Sequence, residues 1–162
     1  MTTSTTNWPL IDSVLDQIDA HPETWDQNHW RCGTSMCFAG WTVELSQKNG
    51  VKWVQEDPNE DSIAVTQVIM PGAFGRTEEV HVSTAACDLL GLPSAGANAL
   101  FEGTNSREDI SYVLQAIEAG EYDELTCEAC GDTWTRRDYD HCPSSHLHDE
   151  DEDDEEFDDS EL

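Results

Sequence analysis

Cys127-Glu-Ala-Cys130-Gly131 places two thiols two residues apart. Such a pair can grip one tetrahedral ion from a single tight turn, and Gly131 allows backbone geometry that a side chain would oppose. An excursion from Gly131 to His141 follows, and Cys142-Pro143-Ser144-Ser145-His146 then offers a thiol and an imidazole. Thiolate and imidazole are the donors that zinc takes. The expected ligand set is therefore Cys127, Cys130, Cys142 and His146, holding a structural Zn2+. His148 and His141 stand as alternatives for the fourth place. The chain has no His-Glu-x-x-His set, so the expected role of the metal is structural rather than catalytic.

The segment 125–148 resembles a zinc ribbon, in which two such turns join a small hairpin. Thr133-Trp134-Thr135 suits one of its strands. The sequence departs from the ribbon at Ser145, where the second turn would carry its second cysteine, which is why the fourth ligand moves to His146 or beyond. The resemblance implies a metal-clamped hairpin that is disordered without its ion.

A second group of reactive residue types lies earlier. His29, Cys32, Cys37 and Cys87 could form another metal site, although the spacing is not a standard one. Cys37 is also expected at a helix N-terminus, where the dipole lowers a thiol's pKa. With His81 it is loosely like a papain-type or cell-wall cysteine hydrolase, but no third, orienting residue can be assigned. Against both readings, Cys is among the most buried residue types, and Cys37 shares a helical row with Trp41 and Leu45.

The elements that must position these residues follow from periodicity. Leu10, Ile11, Val14, Leu15 and Ile18 predict an amphipathic helix from Trp8 to His21, capped by Asn7 with Pro9 in its first turn. Pro22 opens a short helical turn through Trp25, and Trp8, Trp25 and Trp30 are expected to cluster. Thr34 or Ser35 caps a second helix that Asn49-Gly50 stops, with Ala39 and Gly40 small enough to admit a close neighbour. Val51 to Val54 and Ile63 to Met70 read as strands of a hairpin linked through Asp57-Pro58-Asn59-Glu60. Pro71 to Thr77 reads as a loop. Three short helices follow, begun by Ser83 or Thr84, by Ser94, and by Ser106 with Asp109 as a capping box. Glu121 to Leu125 reads as a polar link.

Charge narrows the partners. The chain has 162 residues and a formal net charge of −28, with 35 acids against 7 bases. Residues 149–162 hold 11 acids in 14 positions and no base. A surface this negative repels nucleic-acid phosphates and anionic membranes, and favours a basic protein. Residues 149–162 are expected to be disordered, and the plainest reading of them is a solvated tail. Extended, they would span at most about 46–50 Å. That is roughly one charge per 4 Å, near the 3.4 Å or so of a single nucleic-acid strand, so the tail can also act as a nucleic-acid mimic. An acidic run interrupted by Phe157 resembles the tails of single-stranded-DNA-binding proteins, a resemblance that implies partner recruitment.

The segment Trp30-Arg-Cys32-Gly33-Thr34-Ser-Met-Cys37-Phe-Ala39-Gly40-Trp41 resembles a group of small uncharacterised phage and actinobacterial proteins. Their Leu-Gly-Leu turn and Leu-Phe pair have counterparts here in Leu90-Gly91-Leu92 and Leu100-Phe101. The resemblance spans roughly residues 10–118, implies a phage origin, and transfers no functional residue. The expected architecture is α+β: a small, mostly helical body with a β-hairpin over 8–120, a zinc-ribbon-like module over 121–148, and the acidic tail over 149–162. The expected function is that of a non-enzymatic accessory protein of the (host) cytoplasm. It binds a basic, nucleic-acid-handling protein through its acidic surface and tail, without contacting nucleic acid or membrane directly. The alternatives are the Cys37/His81 hydrolase and a structural or virion-associated component.

Overall fold

The computed structural model describes residues 5–54, 66–72, 75–128 and 130–144. Its elements are helices α1 (Trp8–Ala20) and α2 (Phe38–Leu45), strands β1 (Lys52–Trp53), β2 (Gln67–Pro71) and β3 (Thr77–His81), helices α3 (Val82–Leu90), α4 (Ser94–Leu100) and α5 (Arg107–Glu118), and strands β4 (Glu124–Thr126) and β5 (Thr133–Thr135). The class is α+β, as the patterning predicts.

Helix α1 follows its apolar stripe, with Ile11, Val14 and Ile18 buried. The Asn7 side chain accepts from the Leu10 N–H, satisfying one of the donors a helix start leaves unpaired. The Asn7 N–H and side-chain amide donate to the carbonyls of Leu90 and Leu89, so the same residue ties α1 to the end of α3. The 3-10 turn Pro22–Thr24 follows.

Helix α2 is the centre of the core. Every residue from Phe38 to Val43 is buried, and α1 and α3 pack against it. A fully buried side chain such as Phe38 contributes about 1.5–3 kcal/mol. The N-cap is Cys37, two to three residues later than Thr34 or Ser35. The delay has a cause in backbone pairing. Cys32 and Ser35 exchange backbone hydrogen bonds, and the Met36 N–H donates to the Thr24 carbonyl, so this stretch is held sideways against residues 24–25 before the helix can begin. Gly40 is needed where the Trp30 carbonyl crosses the helix: a Cβ there would lie 1.9 Å from that oxygen.

Gln27 is the polar pin of the core. Its Oε1 accepts from the Phe38 N–H and the Trp25 indole, each at 3.1 Å. Its Nε2 donates to the carbonyls of Leu100 and Glu102. One amide thus joins the 21–37 loop, the start of α2 and the end of α4.

Strands β1, β2 and β3 form an antiparallel sheet in that order. Val68 and Val80 pair across it and pack on the core. Residues expected to form a loop end at Thr77, where β3 begins. Thr-Glu-Glu-Val-His lacks apolar alternation, and its pairing with β2 supplies the order instead. The expected turn at 57–60, with Ile63 and Val65, lies outside the described residues.

Helix α3 is capped by His81, whose Nδ1 accepts from the Ser83 N–H, rather than by Ser83 or Thr84. Pro93 occupies the α4 cap position, with Ser94 as the first helical residue. The Ser106–Asp109 capping box is present on α5. The helix gives way to Gly120 at φ +74°, a left-handed turn that glycine takes without a Cβ penalty.

Candidate metal centre

Residues Glu124–Thr126 and Thr133–Thr135 pair antiparallel, with Leu125 opposite Trp134. Part of the expected polar link is therefore strand β4. The turn between the strands is the first cysteine pair. The Cys127 N–H donates to the Asp132 carbonyl and the Gly131 N–H donates to the Cys127 carbonyl, closing a tight loop. Gly131 lies at φ +78°, which explains the glycine after Cys130. Ser144 donates to the Asp132 carboxylate, tying the segment after Cys142 to the first turn. Trp134 donates from its indole to the Tyr139 carbonyl and steadies the far end of the hairpin.

This backbone brings Cys127, Cys130 and Cys142 together, with their sulfurs all within 4.8 Å of one another. The Cys130 and Cys142 sulfurs are 3.7 Å apart. Two thiolates about 2.3 Å from one tetrahedral ion stand about 3.8 Å apart, so the spacing is the edge of a zinc-sized tetrahedron. Cys142 is buried, Cys127 half-buried and Cys130 exposed. The Asp132 backbone N–H lowers the Cys130 pKa, but desolvation and hydrogen bonding with Cys127, Cys142 and the Asp132 carboxylate outweigh it and push the thiol up to about 12. Such crowded thiols resist joint ionisation, and a shared divalent cation reverses that preference by favouring the thiolates. The three cysteines can hold a metal ion.

His146 and His148 lie outside the described residues, as does the acidic run 149–162. His141 is described and exposed, and it is not among the residues gathered at the thiols. Sequence reasoning missed Asp132 and Ser144, which are ordinary polar residues until the turn closes. It also missed Arg137. Its guanidinium lies 5.0 Å from the Tyr122 ring and 6.0 Å from the Tyr112 ring, its N–H donates to the Glu121 carbonyl, and its side chain pairs with Glu121. That contact joins the hairpin to α5. The Arg136-Arg137 doublet, the chain's only adjacent bases, was the available signal.

The earlier reactive group takes a different form. His29, Cys32, Cys37 and Cys87 are not gathered as a metal site among the described residues. Cys37 is 1% exposed. Burial pushes its thiol up to about 11, outweighing the backbone hydrogen bonds from Gly40 and Ala39 that lower it. A nucleophile at neutral pH needs the opposite shift. Cys87 donates to the Leu92 carbonyl, and burial raises its pKa too. His81 is engaged through Nδ1 with Ser83 and meets Trp30 edge-on, with centroids 5.2 Å apart. Trp30 also meets Phe101 edge-on, so its ring pairs are with these residues rather than with the expected tryptophans.

The chain matches no protein-family model, no curated protein and no solved structure. Among the described residues no helix is long and apolar enough to cross a membrane.

Proposed function

We propose that the protein is a non-enzymatic adaptor. Cys127, Cys130, Cys142 and His146 hold a structural Zn2+, and the clamped hairpin carries the acidic run Asp149–Leu162 toward a basic, nucleic-acid-handling protein. The observation that supports this most is the gathering of three thiols, their sulfurs all within 4.8 Å of one another, around a hairpin with little apolar burial of its own. In β4 and β5 the apolar contact is Leu125 against Trp134, both only half-buried. A structural ion supplies what such a small core lacks, on the order of 10–16 kcal/mol in zinc-finger peptides. The net charge of −28 supports the choice of partner. It gives long-range attraction and a fast, salt-sensitive association with a basic surface.

Native mass spectrometry of the full chain under reducing conditions tests the metal, with one Zn2+ per chain expected and loss of it in Cys142→Ser. Comparing His146→Ala with His148→Ala assigns the fourth ligand. A metal-free chain whose 124–135 hairpin stays ordered would remove the basis of the reading. Affinity capture at low and high salt, with and without residues 149–162, tests the partner. Removing 11 acids should weaken binding by about 10-fold or more at low salt and flatten its salt dependence.

A further inference from the structure

The sheet leaves β3 at an edge, and its register determines which backbone groups face outward. The Val82 N–H donates to the Thr66 carbonyl and the Gly72 N–H donates to the Arg76 carbonyl. In an antiparallel ladder hydrogen-bonded pairs alternate with non-bonded ones. Residues 78 and 80 therefore direct their N–H and C=O groups to β2, while Thr77 and Glu79 direct theirs away from it. Among the described residues those outward groups of Thr77 and Glu79 have no backbone partner.

Two of the five β3 side chains are acidic, outnumbering the one exposed base beside them, Arg76. Glu78 and Glu79 are both exposed. Lys52 shares a cross-sheet row with Ile69 and Glu79 but stands two strands away, roughly 10 Å. A second copy of this chain would bring the same carboxylates face to face, and like charges guard such an edge against self-pairing. A strand bearing Lys or Arg meets the opposite condition.

We propose that the outer edge of β3 receives an extended, basic segment of a protein partner as an added strand, held by the backbone groups of Thr77 and Glu79 and selected by the Glu78 and Glu79 carboxylates. The inference rests on the reading that the partner is basic, and it assigns that partner a docking site separate from residues 149–162. Backbone pairing supplies affinity in such strand addition, and alternate side chains supply specificity.

The test uses the full, zinc-loaded chain and an acetylated eight-residue peptide of alternating Lys and Val. Amide hydrogen exchange is followed by NMR at low and high salt. At saturating peptide the Thr77 and Glu79 amides should exchange at least about 10-fold more slowly, while Glu78 and Val80, already facing β2, stay unchanged. Glu79→Pro removes an outward N–H without breaking the β2–β3 ladder, a position where an edge strand tolerates proline. It should weaken the peptide by about 10-fold. Glu79→Gln keeps the N–H and should weaken binding less while flattening its salt dependence. If Glu79→Pro does not fold, the alternation in exchange decides alone. Peptide binding without that alternation, abolished by removing residues 149–162, would overturn the β3 site and leave the tail reading standing. No salt-sensitive binding of the peptide at all would remove both.

Discussion

Replacing Gln27 by leucine tests whether one amide organises the core. Gln27 is 7% exposed, and the four hydrogen bonds of its side chain have unequal weight. The Leu100 carbonyl keeps Asn105 Nδ2 at 3.2 Å, and the Glu102 carbonyl keeps the Asn105 N–H at 3.1 Å. The Phe38 N–H has no such substitute. It opens α2 inside the core, and a buried donor left unpaired costs about 1–3 kcal/mol. The half-buried Trp25 indole adds about 0.5–1.5 kcal/mol. Gln27→Leu should therefore cost about 1.5–4.5 kcal/mol, or roughly 6–18 °C of melting temperature at about 4 °C per kcal/mol. The assay is thermal unfolding of the full chain by circular dichroism under reducing conditions with zinc. Gln27→Glu supplies the control. It keeps the acceptor for Phe38 but sets a carboxylate against two carbonyls, so it should be destabilised near neutral pH and recover as acid restores a proton donor. Gln27→Leu should not recover. A Gln27→Leu protein melting within about 3 °C of the parent would refute the reasoning.

Gly40→Ala should destabilise by at least about 1–3 kcal/mol, because the Trp30 backbone rather than a movable side chain blocks the new methyl; a denaturant titration measures it. Cys37 should react with iodoacetamide at pH 8 about 100-fold more slowly than an ordinary thiol, before any steric shielding is counted, since burial pushes its pKa from the ordinary 9.0 up to about 11. Mass spectrometry of the labelled native and unfolded chain reads this out, and fast native labelling would contradict it. The Arg107 guanidinium grips Asp19 through two hydrogen bonds of 2.8 and 3.0 Å and holds its carboxyl below the ordinary value of 3.8. The pair's contribution is thus present above pH 3.8 and lost as pH falls through the lower folded value. Screening limits it to about 0.5 kcal/mol, so urea titrations of Asp19→Asn and the parent should differ slightly at pH 7 and converge in strong acid.

Legibility in the sequence followed the range of the forces involved. Helices α1 and α5 were readable because stripe, cap and stop all lie within a few residues: Asn7 and Ile11 for one, Ser106, Asp109 and Gly120 for the other. The cysteine turn was readable because two thiols and a glycine at fixed spacing have few other uses. Features set by distant contacts were not. The delayed start of α2 depends on Met36 bonding to Thr24, β3 exists because β2 lies beside it, and His81 caps α3 because the strand delivers it there. The Gln27 pin carries no local signature, since its partners are up to 75 residues away. Cys37 misled for a related reason: it does stand at a helix start, as the N-cap of α2, but the burial that sets its acidity comes from the assembled core.

Arg137, lying against Tyr122 and Tyr112, has a mechanical consequence. Tyr112 lies on α5 and Glu121, which grips the same arginine, lies just beyond its end, so a load applied to the hairpin passes into α5. That helix packs on α4 and is tied through Arg107 to Asp19 on α1. Force on the hairpin is then shared with the helical framework instead of spent in peeling a small appendage from it.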